Sequence, residues 1–446
     1  MHCMFTKQYF ISNHIKSYFI LKKRWLAMVF APLTRGWKKL MITVLIENED
    51  YFNEIKYVFN YIFKYVYGLD NKTRITSFKN NYNINKDELI ITYGKNVPKL
   101  PSNISQINIF ESNFFDNFTR KISLPSLPLQ YYYNENLKNI IGYDSIPVLF
   151  SGNLNSKDLI KNSKNKIKIN IDFISSIFFM LTGYEEYVKN NKRDKHNRFP
   201  SNNSILYKEN LLSRPIVNEY IELFWSWIKI FISIERKKIW DDNIDFVLFL
   251  SHDIDHIYKF GYGKKGIKKI IRRLGGDIIK RKSIIKFFST LKSWLVFLSN
   301  NNDPYFNFDK MLALENKLNI KSSWYFKTGE RNVPEDGQRY NLDKLDDIFK
   351  KLKKRGHEIG IHPSYKSYNN YEIMKKEISR LVNKTNIEVN KMGSRQHYLR
   401  FDIPDTWKLI EQNGLLYDTS MGFADQIGFK AGVCYPFPLY NIKERK

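Results

Sequence analysis

Hydrophobic positions along this chain fall into two regimes. In the first, Ile42 to Ile46 reads as a short strand. Ile55, Val58, Phe59, Ile62 and Phe63 then recur at three and four residues, predicting a helix that ends near Gly68. "DELIITYG" reads as a strand closed by Gly94, and between Pro98 and Pro147 the pieces "QINIF" and "IPVLF" are separated by Pro, Asn and Ser. Two helices follow. "IDFISSIFFMLTGYEEYV" has Asp172 near its start, with Glu185 and Glu186 at its end read as solvated surface acids. "IVNEYIELFWSWIKIFISI" carries Trp225 and Trp227, read as core. Between them, "KNNKRDKHNRFP" is polar and closed by Pro200, which reads as an exposed loop or a linker between domains.

The second regime opens with "IDFVLFLSHDIDHIYKF", Ile244 to Phe260. Six of the eight residues from Ile244 to Ser251 are apolar, which predicts a buried strand that ends in two carboxylates and two histidines. Side chains alternate in extended chain, so Asp253 and Asp255 lean to one side and His252 and His256 to the other. Two carboxylates brought together repel, hold a cation, or divide the work of base and ligand. Next comes "GKKGIKKIIRRLGGDIIKRK", nine Lys or Arg with the single acid Asp277, read as a solvated amphipathic helix that would also suit a phosphate-bearing ligand or a membrane surface.

After it, helix and strand alternate regularly. "FDKMLALENKLN" precedes "IKSSWYF", "LDKLDDIFKKLKKRG" precedes "HEIGIHPS", "YEIMKKEISRLVNKT" precedes "VNKMGSRQH", and "IPDTWKLIEQNG" precedes "LLYDTSMG". That order predicts a parallel sheet or barrel whose strand ends share one face. Five of the eight histidines, His252, His256, His357, His362 and His397, lie in the three segments so gathered.

A length of 446 residues predicts two or three domains: a basic extension over 1–40, a smaller α/β or α+β domain over 41–240, and the alternating region over 241–446. Met41 opens a cleaner pattern than Met1 and is a candidate start. The net charge of +27 suits any polyanion, but no base-reading motif accompanies it, so no specific nucleic-acid partner is read. With only Cys3 and Cys434 there is no disulfide framework and no thiolate metal site, which favours a reducing, cytoplasmic setting. Apolar runs in the first forty residues are broken by Lys22, Lys23, Arg24 and Arg35, so no transmembrane helix is read there, although peripheral contact with the inner membrane stays open.

"LSHDID", "RGHEIGIHPS", "SRQHYLRFDIPDTW" and "GLLYDTSMGFADQIGFKAGVCYPFP" together resemble the polysaccharide deacetylase superfamily, in its large bacterial branch with an extra N-terminal domain. The resemblance implies a distorted (β/α) barrel and a metal-dependent carbohydrate deacetylase, acting on acetylated cell-envelope or capsular glycans with a divalent ion, often zinc. It puts the general base on Asp253, a metal ligand on Asp255, a second ligand on His362, and the residue that orients the base on Arg395. The chain departs from the family at Lys366, where a second imidazole ligand is expected, so His256 or His252 is needed as the third ligand and His256 is the candidate. His357 lies opposite His362 and is not read as a ligand. No C-terminal Leu-x-x-Ile-His motif is found before Lys446, which predicts an incomplete barrel and leaves His397 as the candidate acid. The same departures support an alternative, a degenerate homologue that binds a glycan or partner without turnover.

Overall fold

The computed structural model describes residues 41–80, 84, 85, 87–152, 158–237, 247–260, 263–300, 303–330, 333–337 and 339–446. The readings made for residues 1–40 and for 244–246 lie outside the described residues. Chain contacts divide the molecule into two units. Among the described residues, one comprises those of 41–247 with Asp402–Lys408 and Met421–Lys446, and the other those of Leu248–Phe401 and Leu409–Ser420.

The first unit is built on a six-stranded sheet and a two-stranded ribbon. The strands are β1 (Met41–Ile46), β2 (Thr73–Ser77), β3 (Glu88–Gly94), β4 (Ser105–Phe110), β5 (Gln130–Tyr133), β6 (Ser145–Val148), β7 (Ile160–Ser163) and β8 (Lys166–Ile169). The order is β2-β1-β3-β4-β8-β7, parallel except for β7 on β8, while β5 and β6 pair antiparallel. β1, β3 and β4 are buried almost end to end, as parallel strands covered on both faces must be. Helices Phe173–Leu181 and Ile216–Phe231 supply part of that cover, and Trp225 and Trp227 are core as expected. Asp172 caps the first of these helices by accepting from Ser175 N at 3.0 Å.

Two readings are corrected here. Glu185 and Glu186 are not solvated. At Gly183, with φ +61°, the chain turns and starts a second short helix, Tyr184–Val188, which carries both carboxylates inward. Glu185 accepts from Lys189 Nζ at 2.6 Å and from Ile205 N at 2.9 Å. Glu186 is paired with Arg193 and, at 2.7 Å, with Lys430. The segment 189–200 is therefore no interdomain linker: Arg193 and the Arg198–Asp194 pair tie it into the same unit. C-terminal chain packs in this unit too, with Ser201 Oγ donating to Asp425 at 2.8 Å and Tyr57 Oη donating to the Pro438 carbonyl at 2.7 Å.

The second unit is a five-stranded, wholly parallel sheet of β9 (Leu250–Ile254), β10 (Ser322–Phe326), β11 (Glu358–Ile361), β12 (Gly393–Ser394) and β13 (Tyr417–Asp418), in the order β13-β12-β11-β10-β9. Among the described residues the sheet does not close into a barrel, and β9 and β13 are its edges. The expected strand from Ile244 is shorter than its apolar run suggests. Val247, Leu248 and Phe249 are exposed, and pairing begins only at Leu250, opposite Ser322.

Helices Phe308–Lys317, Asp346–Lys354 and Tyr371–Thr385 alternate with these strands as the pattern requires. Each turns an apolar stripe inward: Phe308 and Leu312, then Ile348, Phe349 and Leu352, then Met374, Ile378 and Leu381. Trp324 and Phe326 are fully buried, each worth roughly 1.5–3 kcal/mol of burial, which suits β10 to its place inside the sheet between β9 and β11. Asn386 ends the third helix with φ +53°, and Asn370 caps its start by accepting from Ile373 N at 3.0 Å.

Candidate metal centre

Strand register sets the site. Ile254 is opposite Phe326, Phe326 opposite Ile361, Ile361 opposite Ser394, and Ser394 opposite Asp418. The first residues past these strand ends are therefore Asp255, Lys327, His362, Arg395 and Thr419, one row along the C-terminal edge, where parallel α/β sheets place ligands. His397 joins the row through a tight turn, His397–Leu399, in which Tyr398 and Leu399 both take left-handed φ, +62° and +54°. Such backbone costs about 1–2 kcal/mol per non-glycine residue. Here it is held by the Tyr398 ring, edge-on to His397 at 4.9 Å and to Tyr365 at 5.5 Å.

Asp255, His362 and His397 bring one ligand atom each to within 4.8 Å of one another. Asp255 Oδ1 lies 3.1 Å from His397 Nε2 and 3.5 Å from His362 Nε2. Yet that buried oxygen accepts no well-aligned hydrogen bond. His362 Nδ1 is 2.5 Å from the Arg395 carbonyl, which only accepts, so Nδ1 carries the proton and, in the neutral ring, Nε2 turns a lone pair towards the carboxylate. Lone pairs confronting one another around an orphaned oxygen are the donor arrangement a cation satisfies. An Asp-His-His set also matches the three protein ligands that catalytic zinc ordinarily has.

Without a cation, charge is redistributed among the three groups. Burial works against ionised Asp255, but the adjacent imidazoles of His362 and His397 outweigh it and hold the carboxyl well below the usual carboxylate range. Burial likewise opposes protonated His362, while Asp253 and Asp255 prevail and raise it. His397 goes the other way: burial, reinforced by the charge of His362, depresses it to about 4 despite Asp255.

Asp253 faces the same side of β9 as Asp255 and accepts from Arg395 Nη1 at 3.3 Å. Arg395 is itself fixed, with Nε donating to Thr419 Oγ1 at 3.1 Å and the guanidinium 5.2 Å from the Tyr325 ring centre. His256 is not part of the ligand cluster. Its ring sits against Gly337, where an added Cβ would come within 3.0 Å of Cε1, and burial depresses its pKa. Alternation also takes His252 away: its Nε2 meets Glu315 at 2.5 Å, in a network that includes Ser322 and His357. Lys366 is exposed and stands outside the cluster. The second imidazole of the cluster, His397, comes instead from the segment after β12, where sequence reasoning sought an acid.

Residues 43–232 match a family of unknown function, DUF7033. No curated protein matches the chain significantly. A crystal structure from Mycobacterium smegmatis, provisionally described as a polysaccharide deacetylase, is similar at 14% identity over 40% of this chain and 51% of that chain, about half its length. Its TM-score of 0.22 leaves that likeness without bearing on fold or function.

Proposed function

We propose that the second unit is a metal-dependent hydrolase that removes acetyl groups from carbohydrate, with a divalent ion, zinc by its donor set, held by Asp255, His362 and His397. The observation that carries this reading is the convergence of the two imidazole nitrogens on one buried, otherwise unsatisfied Asp255 oxygen. The motif resemblance supports the choice of substrate and extends the proposal to a distorted (β/α) barrel. A bound divalent ion would lower the pKa of water from about 15.7 towards 7 and polarise the acetyl carbonyl.

The chain's own residues do the rest. Asp253, beside the ligands and outside their cluster, takes the proton of the attacking water. Arg395, locked between Thr419 and Tyr325, donates to that carboxylate and holds it aimed. His397 is needed as a ligand and is therefore not free to donate to the leaving group. That observation favours the second reading, a glycan-binding homologue without turnover. The two separate on acetate release from acetylated amino-sugar oligomers by protein loaded with zinc: release with one ion per chain supports the enzyme, and oligomer binding without acetate supports the binding protein.

A further inference from the structure

The insert between β9 and the helix Phe308–Lys317 is a helical hairpin, Gly263–Ile279 and Ile284–Asn300. Its feet are pinned by Asp303, which accepts from Lys259 N at 2.7 Å and Phe260 N at 2.9 Å, five residues or fewer from Asp255. Its interior is thin: Phe260, Ile270 and Phe297 form the buried seam, with Leu274 and Trp294 packed at its edge. Outside that seam the hairpin leaves a broad apolar surface uncovered. Ile271, Ile279, Ile284, Ile285, Phe288 and Leu298 are each between 57% and 81% exposed. Isolated exposed aliphatics are ordinary, but so many on one small element mark an interaction surface.

Charge identifies the partner. Residues 263–299 hold eleven Lys or Arg and one acid, Asp277. That acid is spent inside the hairpin, where it is paired with Arg281 and accepts from Thr290 Oγ1 at 2.6 Å, stitching one helix to the other. The outer surface therefore presents apolar side chains among Lys268, Arg272, Lys280, Lys282, Lys286 and Lys292 with no carboxylate to offset them. A second copy of this chain would bring the same positive field and be repelled. Among the described residues no helix is long and apolar enough to cross a membrane. A basic amphipathic surface of this kind lies in the plane of an anionic bilayer, its apolar side chains at the acyl boundary and its cations among the headgroups.

We propose that the 263–300 hairpin docks the protein on anionic phospholipid membrane, with the adjoining strand ends close to that surface. This stands independently of the hydrolase reading. The full chain should co-sediment with phosphatidylcholine vesicles containing one-third phosphatidylglycerol, and far less with phosphatidylcholine alone. Ile285→Asp with Phe288→Asp should lower the partition coefficient by at least about 100-fold, since each loses the burial of one large apolar side chain. Lys286→Gln with Lys292→Gln should lower it about 25-fold on the anionic vesicles, at about five-fold per charge.

All four positions are solvent-facing, so circular dichroism and melting temperature should match the parent and separate lost docking from lost folding. Vesicle binding unchanged in both variants would overturn the proposal and move the contact to another basic segment. So would absence of binding in the parent, or a concentration-dependent dimer abolished by the aspartate pair.

Discussion

Asp255, His362 and His397 are far apart in sequence and meet only in the folded unit, so the unfolded chain has no comparable site and metal affinity must appear as folding stability. With free zinc at 100 times the dissociation constant the gain is about 2.7 kcal/mol, and a unit of this size gains roughly 2–4 °C per kcal/mol, giving a rise in melting temperature of about 5–10 °C over chelated protein. Asp255→Asn keeps side-chain shape while removing the central anion. Its loss should cost at least as much as an outer-shell partner, about 100-fold in affinity, which at the same zinc concentration leaves only about 0.4 kcal/mol, or 1–2 °C. His362→Ala and His397→Ala should do the same, whereas Asp253→Asn should keep the full shift. Differential scanning calorimetry of the four variants with zinc and with chelator reads this directly. A full zinc shift in Asp255→Asn, or its loss in Asp253→Asn, would refute the division of roles.

Other outcomes follow from groups described above. Asp253→Asn should abolish acetate release while leaving zinc stoichiometry at the parent value; turnover that survives would remove Asp253 as the base. In the first unit Glu111 is buried, and desolvation lifts its carboxyl to about 8 although Asn48 donates to it. With its folded pKa above the unfolded value, its contribution is intact below about pH 4.5 and is lost as pH rises through 8, a decline of about 4–5 kcal/mol. Glu111→Gln should flatten that part of the stability profile in urea titrations at pH 5 and pH 9, and an unchanged slope would exclude Glu111 as its source. Glu186→Gln should destabilise the first unit by about 3–5 kcal/mol, because Arg193 and Lys430 would lose the buried anion they share; denaturant midpoints test this, and a change below about 1 kcal/mol would contradict the pairing.

Most of the second unit was legible because its period is simple. Amphipathic helices alternate with short apolar strands, and a parallel sheet then aligns the strand ends whatever the loops do. Asp253, Asp255, His362 and Arg395 could thus be placed on one edge from pattern and motif. His397 was read for a different task, since the contacts that place it, Gln396 N donating to Ser420 Oγ and His397 N to the Pro363 carbonyl, join segments that no local pattern brings together. The start of β9 was misjudged because an apolar run shows preference for burial and not which residues find a partner strand. Glu185 and Glu186 were misread for a related reason: residue type puts acids at a helix end in solvent, but the short helix after Gly183 buries both where Lys189, Arg193 and Lys430 pair with them.

The most direct test is crystallography of zinc-soaked protein with anomalous data collected on either side of the zinc edge. The account predicts one strong anomalous peak within about 2.0–2.2 Å of Asp255 Oδ1, His362 Nε2 and His397 Nε2. An empty position there, with the ion absent or held by a different set of side chains, would contradict it.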